Sequence, residues 1–245
     1  MKTTKKLLCA LCLSSAAFAG ESIVIATTPP VVAPVADSAW YAEISAFYGF
    51  ASKDIVKGYK ELGSVDTLGG DFTIGYQLDD NNSINFRMGY GYGSQDCRSI
   101  YGNYGEYYEY SDDKIKVHTF TFMPGYRYTT KLDDSWGMFV GANVGISTMN
   151  VKAKSTYGEQ WVMPGGSSWS DTKKASASEV GFAYSAEIGV QYSFTDDMYA
   201  FLAYEFRGST ASPAEKVTTP NGSYTAFEAN SQLYHTIRLG VGYQF

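Results

Sequence analysis

Cysteine is almost absent from the part of this chain that can carry a fold. Two of its 3 cysteines, Cys9 and Cys12, lie in the first 19 residues, which leaves Cys97 alone beyond them. An internal disulfide is therefore excluded, even in an oxidising compartment, and stability must come from elsewhere. Proline is scarce at 7, and Pro29, Pro30 and Pro34 all fall within residues 21–38. That stretch cannot donate a regular ladder and favours extended backbone. Long apolar runs are missing too: residues 7–18 form the one near the start, far short of the roughly 20 residues of a spanning helix. Basic charge is also thin. Setting aside Lys2, Lys5 and Lys6 reduces 19 basic residues to 16 against 25 acids, a balance that disfavours nucleic acid as a partner.

The first residues have the form of an export signal. Lys2, Lys5 and Lys6 precede the apolar stretch, and Ala17-Phe18-Ala19 supplies the small-x-small cleavage pattern. Cys9 and Cys12 follow Leu8 and Leu11 rather than a small residue, so lipidation is not expected. The expected organisation is a signal peptide over 1–19, a proline-containing periplasmic lead-in over 20–39 and one β domain over 40–245.

What the chain has in quantity is Tyr (21), Phe (14) and Gly (25), a composition suited to strands. From Trp40 onward apolar residues recur with period two, which places them on one face of successive strands. Trp40, Ala42, Ile44, Ala46, Tyr48 and Phe50 open the series, and Leu239, Val241, Tyr243 and Phe245 close it. Eight such segments predict an all-β, antiparallel up-and-down transmembrane barrel. Within residues 114–129, Ile115 and Val117 break the parity, which calls for a bulge or for a strand running beyond the membrane. Three short turns carry the pairs Asp79-Asp80, Asp133-Asp134 and Asp196-Asp197, read as backbone-bonding turn residues rather than ion ligands. The four other connections are long, as outer-membrane barrels require on one side. A hairpin hidden in residues 151–178 or 208–230 would raise the strand number to ten.

With the apolar face outward, the opposite face collects Glu43, Asp71, Glu187 and Glu205 with Arg87, Arg127, Arg207 and Arg238. A charge on the lipid face costs about 2–4 kcal/mol near the midplane, so these eight belong in the lumen, as an ion-pair network that plugs and stiffens the barrel. Aromatic residues collect at both strand ends, as interfacial girdles do.

The closing run Arg238-Leu239-Gly240-Val241-Gly242-Tyr243-Gln244-Phe245 resembles the carboxy-terminal assembly signal of outer-membrane barrels. That resemblance implies a transient encounter with the barrel-assembly machinery, with Gly240, Tyr243 and Phe245 as its recognition positions. Residues 40–245 are similar in architecture to small barrels of the OmpA-transmembrane, OmpX and opacity-protein type. The likeness implies the cell outer membrane as location, its lipid as a standing partner, and a non-enzymatic role in envelope structure. Long loops add surface attachment: Tyr101, Tyr104, Tyr107, Tyr108 and Tyr110, with Trp161 and Trp169, offer rings and hydroxyls to a carbohydrate or host protein. Against this stand rings that merely pack on one another along hairpins extending past the bilayer.

Two alternatives remain open from sequence. One is a narrow porin-like channel, opposed by the full interior of an eight-stranded barrel. The other is a lipid A-modifying or omptin-like enzyme. A barrel deacylase sets Ser two residues from His, and here the positions two beyond His118 and His235 are Phe120 and Ile237; His118 with Asp112 or Asp113 is the remaining omptin-like possibility. No catalytic set, cofactor or metal is expected, and Cys97 has no activating base nearby in sequence.

Overall fold

A computed structural model describes residues 40–52, 54, 64–103, 107–161, 168–219 and 222–245, without side-chain detail at 101–103, 107, 161, 216–219 and 222–227. Residues 1–39, where the sequence leads one to expect a signal peptide and lead-in, lie outside the described residues.

Ten strands follow one another: β1 Trp40–Ala51, β2 Thr67–Gln77, β3 Asn82–Asn103, β4 Tyr107–Lys131, β5 Trp136–Trp161, β6 Trp169–Ser193, β7 Met198–Ser209, β8 Ala214–Thr219, β9 Gly222–Glu228 and β10 Leu233–Gln244. Eight of them close into a barrel, each antiparallel to its neighbours, with β10 paired to both β1 and β7. The hairpin suspected in residues 208–230 exists as β8 and β9, but it forms its own two-stranded sheet. It has no place in the ring because β10 opens directly opposite the end of β7, Leu233 against Gly208. The described residues of 151–178 form no separate hairpin either: they lengthen β5 and β6.

Strand length is where the architecture departs most from expectation. Crossing a membrane takes about 9–11 residues, yet β3, β4, β5 and β6 have 22, 25, 26 and 25. Much of the expected loop sequence is thus an arm of paired strands. The pairing of β4 with β3 and β5 keeps one register past Ile115 and Val117, and the shift in the β3–β4 ladder lies farther out, between Ile100 and Gly102. No bulge is needed at Ile115 and Val117. Both point inward, 2% and 0% exposed, because the interior itself turns apolar there.

The outward face carries Ile44, Leu68, Phe72, Val144, Ile188, Leu202 and Leu239, all exposed. So large an apolar surface requires a non-aqueous neighbour. Aromatic rings edge this band at both ends. Trp40 with Tyr76 (centroids 5.1 Å) and Trp136 with Tyr192 (5.0 Å) lie at the turn side. Tyr48 with Phe50 and Tyr90 with Phe120 (both 4.8 Å) lie at the loop side.

The short turns share one construction. Asp79 Oδ1 accepts the backbone N–H groups of Asn81 (2.9 Å) and Asn82 (2.8 Å), and Asp133 Oδ1 accepts those of Ser135 (2.8 Å) and Trp136 (2.7 Å). In the third turn the equivalent acceptor is Thr195 Oγ1, bonded by the N–H of Met198 at 3.0 Å, so the pair Asp196-Asp197 is offset by one position. Inside, the tips of rings come close to glycines of the adjoining strand, where a side chain would collide. A Cβ on Gly240 would stand 2.6 Å from both Phe201 Cζ and Ile44 O.

Two outcomes are expected. Gly240→Val should lower stability by about 1–3 kcal/mol through overpacking, seen as an earlier loss of the fast-migrating unboiled band in a urea series. The Asp79 carboxyl is held below its ordinary value of 3.8, first by the Asn81 amide and then by Asn82. A depressed carboxyl stabilises above its unfolded value and ceases to do so as pH falls through the folded one. The Asn81 and Asn82 amide NMR signals should therefore titrate together below pH 3.8, and an unperturbed midpoint would contradict the turn geometry.

Candidate functional site in the barrel lumen

Every second residue of a barrel strand points inward, and on seven of the eight walls that parity brings an ionisable side chain to one level, while the eighth, β5, contributes the packing partner Phe139. Arg87 on β3 donates to Glu205 Oε1 on β7 (2.7 Å) and to Glu187 Oε1 on β6 (2.8 Å). Arg127 on β4 donates to both carboxylate oxygens of Glu43 on β1, at 2.9 Å for Oε2, and reaches Glu187 at 3.4 Å. Arg207 on β7 joins Asp71 on β2 and Glu205, each at 2.8 Å. Arg238 on β10 completes the set with Glu187, and with Asp71 at 3.2 Å. All eight side chains are buried, and Arg87, Arg238 and Glu205 are fully so.

The network is charge-balanced and continuous, since each arginine bridges two acids and Glu187 joins three arginines. Rings hold it laterally: Arg127 Cζ lies 4.5 Å over Phe139, Arg207 Cζ 4.6 Å over Phe47, and Arg238 Cζ 5.4 Å over Phe201. Flat guanidinium groups stacked on rings keep their in-plane donors free for carboxylates. Tyr199 adds a hydroxyl donated to Glu43 Oε1 at 2.8 Å. Phe139, Tyr199 and Phe201 were not singled out from sequence, though their parity with Asn143 and Glu205 carried the signal.

The interior is layered. Phe139, Phe201 and Ala203 pack together toward the turn end. Beyond the charges, toward the loops, Val65, Ile115, Val117, Met149, Val151, Ala177, Ala211 and Ala229 form an apolar cap. Val65, Ala211 and Ala229 come from connections, and no periodicity could have placed them.

The other sequence-derived residues lie apart from the lumen charges. Gly240 sits beneath Phe201, whereas Tyr243 and Phe245 stack outside, 6.2 Å apart. Among the loop candidates, Tyr108 donates to Gln160 Oε1, Arg98 lies 5.1 Å over the Tyr110 ring, and Trp169 packs edge-on against Tyr157 at 5.7 Å. These rings therefore stand on the strand arm rather than on loops. Tyr104 lies outside the described residues, as do the side chains of Tyr101, Tyr107 and Trp161. The omptin-like grouping is not assembled. His118 points outward with Nδ1 2.9 Å from the Tyr90 hydroxyl, Asp112 lies six residues along that face against Arg98, and Asp113 lies on the opposite face. Six residues of strand are about 20 Å. Among the described residues, no group of three or more His, Cys, Asp or Glu side chains is placed to hold a metal ion.

A family model described as the outer membrane protein beta-barrel domain matches residues 7–245. No curated protein sequence matches the chain. Among solved structures, similarity extends to the attachment invasion locus protein Ail of Yersinia pestis, at 15% identity over 85% of this chain and 99% of that one, TM-score 0.41. It extends also to the outer membrane protein OprG of Pseudomonas aeruginosa, at 9% identity over 85% and 96%, TM-score 0.48. The Escherichia coli outer membrane protein W is 12% identical over 85% and 98%, TM-score 0.38.

Removing one member of a buried ion-pair network strands its partners, at about 3–5 kcal/mol. Glu187→Gln is expected to destabilise the folded barrel by that amount in a urea series on refolded protein. Glu159→Gln, far out on the arm, should shift it by less than about 0.5 kcal/mol. An unchanged Glu187→Gln midpoint would contradict the network.

Proposed function

The chain belongs to the outer membrane protein β-barrel domain family, and from that premise we propose that it serves as a sealed structural barrel of the cell outer membrane whose strand arm meets the cell's surroundings. One observation carries this reading: eight charged side chains close on one another across the lumen with no surplus charge. A permeation path needs mobile counter-ions and water along its length. Here the charges are spent on one another, beneath an apolar cap. The wall is thereby cross-braced, since the pairs link β1, β2, β3, β4, β6, β7 and β10.

Two partner assignments belong to the same proposal. Residues 1–19 address the chain for export, and the barrel-assembly machinery reads Gly240, Tyr243 and Phe245 during insertion. Surface attachment is assigned to the arm, where Tyr108, Tyr110, Tyr157 and Trp169 present rings beside hydroxyls and charges. Such amphipathic rings bind saccharide and protein surfaces at small entropic cost.

Planar-bilayer recording of the refolded full chain tests the sealed lumen. A flat trace, without discrete steps, is expected from preparations whose unboiled band proves the barrel folded. Reproducible single-channel steps from such preparations would overturn the sealed reading in favour of a narrow channel.

A further inference from the structure

Lysine is distributed over this molecule in an unusual way. On the outward face of the arm, Lys116 of β4 stands directly opposite Lys152 of β5. One step farther out, Lys114 of β4, Lys154 of β5 and Lys174 of β6 form a row across three adjacent strands. Side chains directly opposite in an antiparallel pair are about 5 Å apart at Cβ, and like charges so placed repel. Acidic side chains outnumber basic ones in this chain, so nearby carboxylates could have neutralised the rows. They do so once: Asp96 takes Lys114 at 2.9 Å. Asp112, on the same face, is engaged with Arg98, and Glu215 accepts the backbone N–H of Ser176 at 3.0 Å. Among the described residues, no carboxylate forms an ion pair with Lys116, Lys152, Lys154 or Lys174.

Height identifies what lies opposite them. The lysines share the outward parity of Phe120, Ile146 and Val180, the last apolar residues on their three strands. Lys116 precedes Phe120 by four residues, Lys152 and Lys154 follow Ile146 by six and eight, and Lys174 precedes Val180 by six. At about 3.3 Å per residue that is roughly 13–26 Å along strands tilted by about 40°. The ammonium groups therefore stand roughly 10–20 Å above the apolar band, and their stems can reach back toward it. The intervening outward residues are His118, Thr148, Asn150, Ser176 and Ser178, which suit hydroxyl-rich headgroups rather than acyl chains. A glycerophospholipid headgroup layer is only about 5–8 Å deep, too shallow for the upper row. A saccharide headgroup carrying phosphates reaches it.

We propose that the outward face of β4, β5 and β6 is a binding site for the phosphates of a saccharide-headed lipid of the outer leaflet, held by Lys116, Lys152, Lys154 and Lys174. The lipid supplies the counter-charge that the protein omits, and it holds the arm upright on the membrane surface. The site is independent of whether the lumen conducts.

The test uses the full chain refolded into phosphatidylcholine vesicles, alone or with bisphosphorylated diglucosamine lipid (lipid A), with phosphatidylglycerol, or with inorganic phosphate in solution. Amine labelling followed by peptide mass analysis reads each lysine. Protection of the four lysines in the lipid A vesicles alone is expected, with Lys131 at the turn end labelled equally throughout. Replacing all four by Gln should leave the unboiled band in place and weaken retention of lipid A through detergent extraction by roughly 100-fold or more, at about fivefold per lysine. Equal labelling in every preparation overturns the proposal. Equal protection by phosphatidylglycerol or free phosphate overturns it as well, since any anion would then suffice. Unchanged retention by the folded fourfold variant would do the same.

Discussion

The structure depends on one constraint: the lumen of an eight-stranded barrel has room for side chains and almost nothing else, so every charge in it must be met by another charge of the same chain. Glu187 shows how strictly this holds, with Arg87, Arg127 and Arg238 arriving from three other strands. Register follows from it. Sliding any of the seven charged strands by one residue would turn its arginine or carboxylate to the lipid and its apolar residues into the network. The ion pairs need not be a large source of net stability to have this effect, because desolvation offsets much of their attraction. What they supply is the distinction between the right register and all the others.

Packing around the charges obeys the same limit on space. Three of the four guanidinium groups, those of Arg127, Arg207 and Arg238, lie over the rings of Phe139, Phe47 and Phe201. The rings in turn need bare backbone beside them, which Gly69, Gly189 and Gly240 provide. The high glycine content and the lumenal arginines are thus parts of one arrangement: the side chain missing at Gly240 makes room for Phe201, and Phe201 shields Arg238.

Wherever the two faces of a strand meet different media, the sequence was readable. From Trp40 to Ala51 inward and outward residues alternate as their parity requires, and the eight charges could be placed in the lumen before any pairing was known. Legibility ends where the media become alike. Past Tyr92 on β3 and Val151 on β5 both faces carry polar residues, so alternation fades although the strands run on to Asn103 and Trp161. The arm therefore looked like loop. Thr195 in the third turn was hidden for a different reason: its hydroxyl does the work of Asp79 and Asp133, and the neighbouring acids drew attention to the wrong position. Val65, Ala211 and Ala229 reach the interior cap from connections whose path is set only by the closed barrel.

The arm also reverses the logic of the barrel beneath it. In the lumen, opposite charges are matched because nothing else can reach them, whereas on the arm Lys116 faces Lys152 and Lys154 stands between Lys114 and Lys174. Repulsion of this kind can persist only where an external partner is at hand, and a phosphate-bearing membrane surface is a neighbour that an outer-membrane barrel always has. The acids are placed accordingly: Asp113, Glu159 and Asp171 share the inward parity of Val117, Val151 and Ala177, on the side away from the bilayer. Had the lysines been inward and these acids outward, the arm would carry negative charge toward the phosphates and be driven from them. On β5 and β6 the charged residues of outward parity are lysines alone, Lys152, Lys154 and Lys174, and that placement favours an arm that rests beside the lipid headgroups.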